Sequence, residues 1–131
     1  MNLTALQTLV GKPYVFNANG PAAFDCWSVT AAGARQLFGF ELPDLGDMLA
    51  KPEDAPACWR AMEAAGHWQV CKPQAGAVLA AYDRWGGVVH VGLFINPREV
   101  LTASVVLGTH IAQLWAIEKM MHAWEAFAWQ P

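Results

Sequence analysis

The chain is short of charge. Only 15% of its 131 residues are Asp, Glu, Lys or Arg, and the formal net charge is −3. No basic cluster stands against that balance, so the electrostatic footprint of a nucleic-acid binder is missing. Long apolar runs are missing too. Gly, Asp, Lys or His breaks each one well before the ~20 residues that a membrane-spanning helix needs. The opening MNLTALQTLVGKPY lacks a basic start, an apolar block and a small-residue cleavage site. A secretory signal is therefore not expected, and the chain is expected to be cytoplasmic as synthesised. Cysteine is scarce: there are three, an odd number that leaves at least one thiol free, and no C-x-x-C. Cys58, His67 and Cys71 do not have the spacing of a zinc site, so neither a metal nor another cofactor is expected.

What is present is apolar surface. Hydrophobic residues make up 55% of the chain, including seven Trp and six Phe, enough for the core of one domain spanning residues 1–131. Most of the tryptophans read as core. Leu3, Leu6, Leu9 and Val10 recur at helical spacing, and Gly11 with Pro13 ends that helix. Residues 12–24 hold Pro13, Asn17, Asn19, Gly20 and Pro21 and read as a loop. A second helix is predicted from Cys26 to Phe38, stopped by Gly39; residues 40–52 are connection, and Glu53 to Ala65 forms a short helix.

From residue 68 the pattern turns to β. GAVLAAY, GVVHVGLFI, REVLTASVV and THIAQLW read as strands, with INPRE as a hairpin turn. The tail AIEKMMHAWEAFAWQP reads either as a helix or as a helix turning into a last strand. Helices first and strands after predict an α+β domain, with N-terminal helices packed on one side of a sequential antiparallel sheet.

Within this layout two residues carry chemistry. Cys26, in FDCWSV, opens a helix, where unpaired N–H groups and the helix dipole favour a thiolate. His90, in GGVVHVGLFI, lies in a strand and faces the side opposite its valine neighbours. A thiol and an imidazole are the minimal pair for cysteine nucleophilic catalysis, with the imidazole taking the thiol proton and returning it to the leaving group. Asp25 is placed to cap the helix and so to aim Cys26. The first N–H groups of the helix, including that of Cys26, are the natural oxyanion donors.

VGKPYVFNANGPAAFDCWSVTAAGARQLFGFELPD resembles the opening of the NlpC/P60 family of cysteine peptidases, where G-x-P-Y precedes a loop and F-D-C-S-G or D-C-W-G introduces the nucleophile helix. CKPQAGAVLAAYDRWGGVVHVGLFI resembles that family's second block, where a P-G-D strand leads into an H-V-G strand. The resemblance runs from Val10 to Gln113 with both blocks in order. The Trp after the cysteine, the ELPD after the helix and the tail are closest to the branch found in phage tail-assembly proteins.

The resemblance implies Cys26 as nucleophile and His90 as general base, with no cofactor. It implies a peptidoglycan stem peptide as substrate, cut at a D-γ-glutamyl–diaminopimelate type of bond, and phage tail proteins as partners in a virion. Tyr14 matches a tyrosine that turns its hydroxyl into the site, or is a half-buried anchor of its loop; Trp27 is placed to wall the cleft and contact substrate. The sequence departs from the family at the third catalytic position, where Thr102 stands in place of the usual His, Asn or Gln. His110, on the next strand, is the alternative third residue, and Ser28 replaces a glycine. Because threonine carries no charge, a catalytically degenerate structural or adaptor protein of a tail stays open as a reading; so does an acyltransferase or amidase on a non-wall substrate, which keeps the Cys26–His90 pair and changes the acceptor.

Overall fold

The computed structural model describes residues 1–43 and 55–131. Helix α1 spans Leu3–Leu9, with the Asn2 side chain accepting from the Ala5 N–H at 3.1 Å. Its apolar spacing turns Leu6 and Leu9 into the core. Helix α2, Cys26–Gly33, is buried on nearly every face and continues as a π-helical turn, Ala34–Phe38. Gly39, at φ 75°, closes that turn by directing its N–H at the carbonyls of Ala34 and Arg35. Helix α3 spans Ala55–Ala64; the expected start at Glu53 and the connection over 44–52 lie outside the described residues.

Six strands follow: β1 Trp68–Cys71, β2 Val78–Tyr82, β3 Val88–Asn96, β4 Glu99–Ser104, β5 Gly108–Gln113 and β6 Ala123–Trp129, with α4, Leu114–Met120, between the last two. They form one sheet, every pair antiparallel, in the order β1-β6-β2-β3-β4-β5. The fold is α+β, as expected. The sheet is not sequential, however, because β6 inserts between β1 and β2. The tail thus resolves into helix and strand, and it supplies the central partner that the short β1 needs.

Alternation along the strands divides the core. Val78, Ala80, Val91, Leu93, Leu101 and Phe127 face α1, α2 and α3, whereas Leu79, Phe94, Val100 and Ala126 face the other way. There Ile117 of α4 covers them, so the helices do not all lie on one side of the sheet. Gly33 sets how closely α2 lies on the sheet: a Cβ there would stand 2.8 Å from Leu93 Cδ2 and 3.0 Å from Leu101 Cδ2.

Two features shape the site end of the sheet. Ala81 pairs with His90 but Tyr82 pairs with Val88, so Val89 is an extra residue in β3. This bulge turns Val88 toward the helices while His90 faces the other way. The buried Thr109 fastens the N-terminal loop to β5. Its hydroxyl donates to the Leu9 carbonyl at 2.6 Å and accepts from the Lys12 N–H at 2.8 Å, and its N–H donates to the Lys12 carbonyl at 2.8 Å.

Candidate active site

Cys26 is the first residue of α2, and the turn before it is built to hold it there. Asp25, the N-cap, accepts the Ser28 N–H on one oxygen at 2.7 Å and the Asn17 N–H on the other at 3.2 Å. Ser28 Oγ in turn accepts the Asp25 N–H at 2.9 Å, completing a capping box. Ser28 in place of the family glycine therefore has a structural task. The D-x-x-S spacing of Asp25 and Ser28 is its signal in the sequence. The box uses the Ser28 N–H and leaves those of Cys26 and Trp27 uncommitted to protein acceptors among the described residues.

Those two N–H groups, and more strongly that of Val91, favour the thiolate form of Cys26. The Val91 contact arises because β3 and β4 part there: their pairing begins at Leu93 with Leu101. Val91 therefore leaves its backbone groups in the gap, where its carbonyl accepts from Thr102 and its N–H favours the Cys26 thiolate. Cys26 thus lies near the residue that follows His90. Sequence reasoning missed Val91, since a backbone group leaves no side-chain signal.

Burial outweighs these donors. It pushes the Cys26 thiol up to about 11, with the Val91 N–H opposing it and the Asp25 carboxylate adding to it. The expected thiolate is therefore a neutral thiol at rest. His90 is also half-buried, and burial, followed by the like charge of His110, lowers its basicity. Among the described residues no hydrogen bond joins thiol to imidazole, which leaves the resting pair neutral on both sides.

The imidazole is oriented by Thr102. His90 Nε2 and Thr102 Oγ1 lie 2.8 Å apart, and the same hydroxyl lies 2.8 Å from the Val91 carbonyl. Two oxygens at that distance need the hydroxyl proton between them, so Thr102 donates to Val91 and must accept from His90 Nε2–H. His90 then carries its proton on Nε2 and has its basic lone pair on Nδ1. His110 sits across from Thr102 in the β4–β5 register, but its Nδ1 bonds the Gly108 carbonyl at 2.9 Å. It acts on His90 through charge and does not occupy the third position.

Tyr14 lies close enough to Cys26 and Asp25 for both to oppose its ionisation, after burial, which raises it most. A backbone bridge between Tyr14 and Phe24 holds it beside the capping turn. Trp27 does not wall the cleft. It is 4% exposed, donates from Nε1 to the Pro43 carbonyl at 3.2 Å, and packs edge-on against Trp59 and Trp68. As the second helical residue it follows α2 into the core while Cys26 stays at the surface of that core. His67 is engaged elsewhere, with Nδ1 2.8 Å from the Gln130 carbonyl and its ring stacked on Trp129.

The family model of NlpC/P60 matches residues 11–125, nearly the whole chain. The protein belongs to the NlpC/P60 family. Solved structures agree on the fold. The NlpC/p60 domain of the peptidoglycan hydrolase SagA superposes with a TM-score of 0.59 at 16% identity, covering 98% of this chain and 95% of that one. A lipoprotein-like NLP/P60 family protein of Staphylococcus aureus subsp. aureus Mu50 gives 0.55 at 16% identity, over 95% of this chain. This NlpC/P60 chain spans 42% of the length of that second structure. No curated protein matches the sequence.

Proposed function

We propose that this NlpC/P60 protein is a cysteine peptidase that hydrolyses an amide bond in peptidoglycan stem peptides, of the D-γ-glutamyl–diaminopimelate type. The observation that carries the reading is the arrangement around His90: Thr102 holds its Nε2–H, Nδ1 has no hydrogen-bond partner among the described residues, and Cys26 lies near the next residue. In the reaction Cys26 attacks the amide carbonyl as its proton passes to His90 Nδ1. The N–H groups of Cys26 and Trp27 receive the developing oxyanion. The imidazolium gives its proton to the leaving amine, and a thioester remains on Cys26. His90 then takes a proton from water, which attacks the thioester and frees the thiol. Because both partners are neutral at rest, the thiolate forms during attack. Family membership supports the wall substrate, and the tail-assembly features of ELPD and the C-terminal segment support a phage or prophage tail as the setting.

The test is digestion of purified muropeptides followed by mass spectrometry. A product pair split at one stem-peptide amide, lost in Cys26→Ala and in His90→Ala, supports the peptidase. A second reading, a tail adaptor that keeps the fold without activity, is favoured by the uncharged Thr102 and by the absence, among the described residues, of a thiol–imidazole hydrogen bond. It predicts no cleavage and no acyl-enzyme in the intact protein.

A further inference from the structure

Two hairpin turns leave the sheet at the same end. Successive strands reverse direction, so the β2–β3 and β4–β5 turns share one end and the β3–β4 turn stands at the other. The far turn is polar: the Asn96 side chain accepts the N–H groups of Arg98 and Glu99, both at 2.9 Å. The near turns are apolar. Trp85 in the first is 80% exposed; in the second Val105 is 80% and Val106 90% exposed, with Leu107 exposed beside them. Two strand spacings separate the tips, roughly 10 Å at ~4.8 Å each.

A third apolar element adjoins the second tip. The β4–β5 turn rests on the N-terminal loop, where a Cβ on Gly108 would stand 3.5 Å from Pro13 Cα. Val15 and Phe16, just beyond Pro13, are also exposed. Single exposed apolar residues are ordinary, but three such elements at one end of a molecule mark a contact surface.

Charge narrows the partner. Arg84 is exposed with its guanidinium carbon 5.5 Å from the Trp85 ring centroid, and Lys12 flanks the other tip. Neither is ion-paired among the described residues. The carboxylate of the first turn is occupied, because one Asp83 oxygen accepts the N–H groups of Trp85 and Gly87, both at 2.9 Å. Glu63 and Glu125 line a pocket behind that turn together with Arg60. Neither residues 1–24 nor residues 100–117 include an Asp or Glu, although the whole chain has a net charge of −3. Aliphatic tips, an exposed tryptophan and unpaired cations are the combination that enters a lipid interface. A protein partner would need a hollow for each convex tip, whereas a bilayer is fluid and closes round both.

We propose that this end of the molecule docks on an anionic lipid bilayer. Val105, Val106 and Leu107 enter the acyl boundary, Trp85 lies among the headgroups, and Arg84 and Lys12 meet the lipid phosphates. Docking does not depend on the peptidase reading. Its consequence is orientation: His90 and Thr102 lie two residues inside this end of β3 and β4, roughly 7 Å at ~3.3 Å per residue.

Vesicle flotation of the intact chain tests this. Binding should be saturable on vesicles of phosphatidylglycerol and phosphatidylcholine in equal parts. It should be roughly tenfold weaker on phosphatidylcholine alone, and weaker in high salt. The triple variant Val105→Ser, Val106→Ser, Leu107→Ser should lose roughly tenfold or more. Lys12→Gln with Arg84→Gln should do the same, at about fivefold for each cation. These side chains project from turns and a loop, so both variants should keep the wild-type melting temperature. No binding to either vesicle, equal binding to both, or undiminished binding of either variant overturns the proposal. So does a dimer in sedimentation velocity that the serine variant abolishes while vesicles stay unbound, which assigns the surface to a second copy. Cys26→Ala should bind vesicles as the wild type does, so failure of the peptidase reading, seen as absent muropeptide cleavage, leaves the docking result standing.

Discussion

Thr102 accepts the Nε2–H of His90 while giving its own proton to the Val91 carbonyl, both at 2.8 Å. One neutral hydroxyl thus holds the His90 ring and satisfies the Val91 carbonyl at once. What it lacks is charge to stabilise an imidazolium. Thr102→Val should leave the ring unanchored and the buried Val91 carbonyl unpaired. We expect kcat on muropeptides to fall about tenfold to a hundredfold, with stability down by roughly 1–3 kcal/mol. Thr102→Ser should keep most of both. Wild-type rates in Thr102→Val would show that the bond has no part in turnover.

Alkylation of Cys26 reads the resting state directly. Burial holds the thiol near 11, so iodoacetamide should react slowly at neutral pH and accelerate only well above the ordinary thiol range of about 8.5. His90→Ala should change that profile little. An inflection below that range, abolished by His90→Ala, would instead reveal a preformed thiolate–imidazolium pair.

His90 ties the fold to pH. Its folded value lies below the ordinary 6.5, so the unfolded chain binds the proton more readily. The stability its neutral form contributes is present above 6.5 and is lost as pH falls from there through the lowered folded value. Thermal melting from pH 7 to pH 4.5 should show this acid-side decline, and His90→Gln should flatten it. An equal decline in both proteins would assign it to other groups.

The cap of α2 supports both fold and site. Asp25→Ala removes acceptors for Ser28 and Asn17 and should cost about 1–2 kcal/mol in denaturant unfolding. Activity should fall further than stability alone requires, because Cys26 is the next residue. Asp25→Asn, which keeps the acceptor, should recover most of the loss.

Much of this was legible in the chain itself. Apolar spacing located α1 and α2, glycine and proline marked their ends, and the runs around His90 and Thr102 appeared as strands because their periodicity is local. β1 was not legible: WQVC is four residues, two of them exposed, and becomes a strand only because β6 pairs with it. The insertion of β6 has no local signal, since it depends on which sheet edge is open when the C-terminal segment arrives. Trp27 was misplaced for a related reason. Adjacency to Cys26 in sequence does not fix which way a helical side chain turns, and Trp59 and Trp68 offered it a core to join.

By itself, then, the sequence determined the kind of chemistry, a thiol at a helix start and an imidazole in a strand, because those positions follow from neighbours within a few residues. Only the tertiary structure decided how that chemistry is set. The parting of β3 from β4 at Val91, the bulge at Val89 and the hydroxyl of Thr102 are relations between strands. So is the neutrality of Cys26, where desolvation by the packed surroundings overcomes the helix-end donors that sequence alone would favour.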